Sequence, residues 1–103
     1  MLRPILALVL ALSVVAGAGA ETRGDPASGR RIAERWCAAC HIVSPEQKSG
    51  SADVRTFQAI AAMTGDDRDS LAAFLTDPHP VMPDLHLTPR EVADLVAYIA
   101  SLR

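Results

Sequence analysis

Apolar residues are distributed along this chain in two different ways. The first twenty positions, MLRPILALVLALSVVAGAGA, form a nearly unbroken aliphatic run whose only charge is Arg3. Beyond it, apolar residues return at helical spacing in four separate stretches, and no stretch alternates convincingly with period two. The pattern predicts four helices joined by loops and no strand. The first starts at Asp25 as N-cap with Pro26 at N1. Its apolar side is Gly29, Ile32, Ala33 and Trp36, at spacings of three, four and seven. A glycine inside a helix costs about 1 kcal/mol against alanine. Gly29 therefore predicts a close approach by another helix, the alternative being a frayed first turn.

The second stretch, within Arg55 to Met63, puts Phe57, Ile60, Ala61 and Met63 on one face of a short helix. The third opens at Asp66 or Asp67, where acidic residues suit the positive end of the helix dipole. It buries Leu71, Phe74 and Leu75 and stops at Pro78. The fourth carries the fullest set of signals. Thr88 is the N-cap, Pro89 takes N1 and Glu91 sits at N3, a capping box, with Leu87 and Val92 placed as a hydrophobic staple. Val92, Leu95, Val96, Ile99 and Leu102 then line one side. That helix is the natural partner for the Gly29 face. The loop Ser44 to Ser51, SPEQKSGS, has turn chemistry.

The leader changes the picture of the whole. It closes with Ala18-Gly19-Ala20, the small-x-small pattern of a signal peptidase site, and its apolar core is short for a membrane span. Residues 1–20 are expected to be a signal peptide and residues 21–103 the functional domain, exported to the periplasm, with no membrane span in the mature chain. The alternative is an uncleaved anchor. A domain this small needs a staple beyond its own core. Net charge is −2, which gives no reason to expect nucleic-acid binding.

The chain has two cysteines, and both lie in WCAACHI, with His41 directly after the second. At i and i+3 on a helix, Cys37 and Cys40 project to the same side. A thiol–disulfide enzyme uses such a pair, but opening a helix after a strand. A structural zinc needs four ligands, and His79 and His86 complete no zinc spacing. C-x-x-C-H is also the signature of covalent haem attachment, in which two thioethers hold the vinyl groups and the histidine binds iron. The export signal agrees with the third reading, because that attachment chemistry belongs to exported compartments.

With GRRIAERWCAACH near the start, VMPDLHLTPREV late and DLVAYIASL at the end, the chain resembles the class I c-type cytochromes from about Asp25 to Leu102. The resemblance implies an all-α fold, a small helical bundle wrapped round one covalently attached haem c, with the first and last helices crossed at right angles. Leu95 and Tyr98 match the last-helix side of that crossing. The chain departs from the family at Ala33, where many members carry an aromatic, and Trp36 is the expected source of the missing bulk. His41 is the fifth ligand. Met63, His79, Met82 and His86 are the candidates for the sixth. Met82 lies between Pro80 and Pro83, in a loop stiffened by both, and the family keeps its methionine ligand there. His79 and His86 are otherwise loop histidines. The family also supplies a proline carbonyl as acceptor for the axial histidine's other nitrogen, which points to Pro45. Trp36, Phe57, Ile60, Leu71, Phe74, Leu85 and Leu95 are the expected pocket residues.

Histidine–methionine ligation fills both axial positions and raises the potential, so the implied function is one-electron transfer between redox partner proteins, not catalysis. A haem subunit of a larger oxidoreductase carries the same motifs. A ligand sensor or peroxidase would instead keep the sixth site open. Arg30, Arg31 and Arg35, and opposite them in sign Asp66, Asp67 and Asp69, are either solvated faces or steering charges for a partner.

Overall fold

Four helices form where capping side chains and apolar spacing coincide: α1 (Pro26–Trp36), α2 (Phe57–Thr64), α3 (Arg68–Thr76) and α4 (Pro89–Ala100). The computed structural model describes residues 23–78 and 81–103, among which there is no strand. The expected signal peptide and His79 lie outside the described residues. No helix among them is long and apolar enough to cross a membrane.

Each helix start is held by a short-range hydrogen bond. The Asp25 carboxylate accepts from Ala27 N–H and from Ser28 Oγ. Thr56 caps α2 by accepting from Ala59 N–H, and Asp67, rather than Asp66, caps α3 by accepting from Ser70 N–H. In α4, Thr88 Oγ1 accepts from Glu91 N–H at 3.1 Å and donates to Glu91 Oε1 at 3.0 Å. Such caps satisfy helix-end donors that would otherwise be orphaned.

The core is built around α4, on which α1, α2 and α3 all pack. Sequence periodicity predicts one buried side, yet Val92, Leu95, Val96, Ala97, Tyr98 and Ile99 are all buried. A helix enclosed on several sides needs no polar face. Its one buried charged residue, Asp94, accepts the Asp25 N–H at 2.7 Å. The start of α1 is thus tied to α4.

Gly29 is the contact point of α1 and α4. A Cβ there would lie 2.0 Å from the Asp94 carbonyl oxygen and 2.7 Å from Tyr98 Cβ. The close approach is real, and α1 is not frayed here: Gly29 is buried and its N–H donates to Asp25 O at 2.9 Å. Trp36 does not fill this contact. It is 53% exposed, with the Arg35 guanidinium 5.0 Å from its ring centre. α1 ends at Trp36, so its indole falls beyond the crossing. The bulk comes from Tyr98, beside fully buried Ala33 in the same core. Phe74, expected inside, is also exposed at 43%, on the rim of the cleft described below.

The Tyr98 hydroxyl donates to the Val43 carbonyl at 2.5 Å, with both residues buried. This bond ties α4 to the loop following the cysteines. Tyr98→Phe leaves that carbonyl without its donor and should cost about 1–3 kcal/mol. Denaturant unfolding of the holoprotein measures it. A loss below a few tenths would mean that water replaces the hydroxyl.

Candidate haem site

The cysteines lie just past α1, not on it. Cys37 is the C-cap, and one further turn follows, closed by Cys40 N–H and His41 N–H donating to Cys37 O at 3.2 and 2.9 Å. The spacing of three still brings both thiols onto a single turn, because this turn keeps near-helical hydrogen bonding. Cys37 is buried and Cys40 exposed. Burial, and secondarily the neighbouring Cys40, push the Cys37 thiol up to about 11. Such a thiol stays protonated at neutral pH and makes a poor redox nucleophile, which argues against a thiol–disulfide enzyme.

His41 Nδ1 lies 2.6 Å from the carbonyl oxygen of Arg55. A carbonyl only accepts, so Nδ1 is the donor in this bond, which in the neutral ring leaves the lone pair on Nε2. Arg55 therefore replaces Pro45 as the acceptor. The reason is the path of the chain: residues 53–57 fold back beside the motif, and Phe57 N–H donates to Ile42 O at 2.9 Å. Pro45 instead borders a separate groove with Val43 and Leu102. Phe57 fixes the imidazole from the side, its ring centre 5.4 Å away and tilted by 55°.

His41 opens onto a cleft of about 530 Å³, cofactor-sized. Phe57, Ile60, Leu71 and Phe74 line it as expected, together with Cys37 and Met82. A smaller adjoining cleft of about 100 Å³ again borders Cys37, His41 and Met82 and adds Cys40, Trp36 and Leu85. Leu95 lines neither; it is fully buried in the core. Ile99, Leu75 and Val54 also face the larger cleft, although the sequence marked the first two only as core and Val54 not at all.

Of the candidates for the sixth ligand, Met82 is half-buried and borders both clefts. Met63 borders only the larger one, is 61% exposed and touches the Arg55 guanidinium. His86 is almost wholly exposed in a left-handed backbone conformation, its ring beside Asp84. Of the arginines of α1, Arg31 and Arg35 are exposed, and among the described residues only Arg30 forms an ion pair. Arg30 pairs with Glu34 and Glu46, Arg31 donates to Ser28, and Arg35 covers Trp36.

A haem fits this donor set. Two thiols stand on one turn, an imidazole offers a free Nε2 and a thioether shares the cleft. The exposed apolar side chains at the cleft, Met63 and Phe74 among them, are surface that a hydrophobic macrocycle would cover.

Comparison with known proteins agrees with this chemistry. The family model described as cytochrome c oxidase, cbb3-type, subunit III matches residues 24–99. The chain is 41% identical over 96 residues to cytochrome c-552 of Bradyrhizobium diazoefficiens, covering 93% of this chain and 92% of that one. No solved structure matches it. With the C-x-x-C-H turn, the apolar cleft and these matches together, the chain belongs to the class I c-type cytochromes, in the cbb3-type subunit III family, and transfers electrons through a covalently bound haem c.

Proposed function

We propose that this chain is an exported one-electron carrier that attaches haem c through Cys37 and Cys40 and holds the iron between His41 and Met82. The observation that carries this reading is the meeting of Cys37, His41 and Met82 at the same two clefts. The bound haem supplies the redox couple. The protein's part is to orient and to exclude water. The Arg55 carbonyl sets the tautomer and direction of the His41 ring, and Phe57 packs against it. Met82 presents a neutral, soft thioether, which favours the reduced iron. The apolar cleft lowers the local dielectric, another lever on the potential. Export rests on the reading of residues 1–20 as a cleaved signal peptide.

The test is a spectrum of purified exported holoprotein, oxidised and reduced, before and after denaturation. Red haem that stays with the denatured chain, and no rapid carbon monoxide binding when reduced, are expected. Fast carbon monoxide binding would replace the carrier with a sensor or peroxidase. The family description names an oxidase subunit, which favours a second reading: a haem module docked on a larger oxidoreductase. Size-exclusion of native material separates the two. Elution alone supports the free carrier, and co-elution with a partner supports the subunit.

A further inference from the structure

The turn that bears the cysteines presents a row of main-chain carbonyls, and the loop after it is folded to meet them. Ala39 O accepts from Ser51 N–H at 3.0 Å and from Ser51 Oγ at 2.5 Å. Gly50 sits so close that a Cβ would lie 2.3 Å from Cys40 O. The centre of the arrangement is Gln47. Its Nε2 lies 2.9 Å from Ala38 O, between the cysteines, and 2.7 Å from His41 O. The same nitrogen is 3.0 Å from Ser49 O, while Oε1 accepts from Val43 N–H at 2.9 Å. One partly buried side-chain amide thus uses both its ends to bind residues before, at and after the axial histidine.

We infer that Gln47 is a positioning residue for haem attachment and for the His41–iron bond. The inference rests on the haem reading above. Without the Nε2 donors, the Ala38 and His41 carbonyls are free to turn toward water, and the cysteine turn can relax. A site a fraction of an ångström too loose works poorly. Two effects on the iron then act in the same direction. The partial positive charge of two N–H groups would be lost from beside His41, and a loosened cysteine turn would let water nearer the site. Both stabilise the more positive, oxidised iron. An ordinary loop staple would cost stability without moving the redox balance.

The experiment compares holoproteins. In Gln47→Ala the ratio of reduced to oxidised iron at a fixed poise should fall about tenfold, the scale of outer-shell effects at metal sites. For a one-electron couple that is about 59 mV. Covalent haem per chain, read by mass spectrometry, should fall as well. Gln47→Glu keeps the acceptor for Val43 N–H but lacks the donors, and should shift the ratio the same way. Thr88→Ala, which uncaps α4 and removes no hydrogen bond to the cysteine turn, should lower Tm and leave the ratio unchanged. If both Gln47 variants keep the wild-type ratio and haem content while losing Tm like Thr88→Ala, the inference is overturned. If neither Gln47 variant acquires haem while Thr88→Ala does, the attachment role stands. A wild-type protein without a low-spin haem spectrum would instead overturn the underlying haem reading.

Discussion

Replacing Met82 with alanine should abolish the ferric methionine–iron charge-transfer band, open the iron to rapid carbon monoxide binding and lower the reduction potential. The drop should exceed the ~59 mV of a tenfold change, since axial-ligand identity moves haem potentials across about 0.8 V. Met82 earns this expectation by position. It is half-buried and borders both clefts that His41 and Cys37 border. Pro83 follows it directly and restricts its backbone to extended conformations. The competing thioether, Met63, borders one cleft from the C-terminal end of α2 and is mostly exposed. Met63→Ala should therefore leave the band intact. A band that survives in Met82→Ala and disappears in Met63→Ala would reassign the ligand.

Gly29→Ala should destabilise the protein, although helix propensity alone predicts a gain of about 1 kcal/mol. The sign of the change is the test. At 2.0 Å from the Asp94 carbonyl oxygen, a methyl group meets main chain in the middle of α4, which cannot yield as a flexible side chain would. Forced overpacking costs about 1–3 kcal/mol, and small domains have only about 5–15 kcal/mol in all. Gly29→Val should be worse, with little holoprotein accumulating. The damage would extend past the helices, because pushing α4 away also pulls Tyr98 from the Val43 carbonyl just after the cysteine turn. Chemical unfolding of purified Gly29→Ala holoprotein decides. A raised midpoint would mean that the two helices are farther apart than the structure has them.

Several features needed nothing beyond the local chain. Thr88, Pro89 and Glu91 mark the start of α4 because a cap is made between residues three apart. Cys37, Cys40 and His41 carry the C-x-x-C-H signature within one turn, so the expectation of a haem c needed no distant residue. Gly29 signalled a close helix pair because nothing local rewards a glycine in that place.

Other features depended on residues brought together from afar. The His41 acceptor went to Arg55, fourteen residues on, because the loop before α2 folds back against the motif. Nothing in Pro45 or Arg55 as letters distinguishes these outcomes, since every residue carries a carbonyl. Trp36 kept the helical phase of Gly29 and Ala33 and still came out exposed, because periodicity does not say where the neighbouring helix stops covering the face. Gln47 looked like one more polar residue in SPEQKSGS, and its bonds to Ala38, His41 and Val43 exist only once that loop is packed on the turn.

The amino-acid sequence by itself therefore determined the starts of α1 and α4, the all-helical class and the expectation of a covalent haem c, since each rests on side chains within about one turn of one another. The tertiary structure alone decided which carbonyl orients His41, which apolar residues face the cleft and which side chain secures the cysteine turn. Those choices depend on the directions and distances of groups far apart in the chain, which are set only when α4 is enclosed and the loops close over the turn.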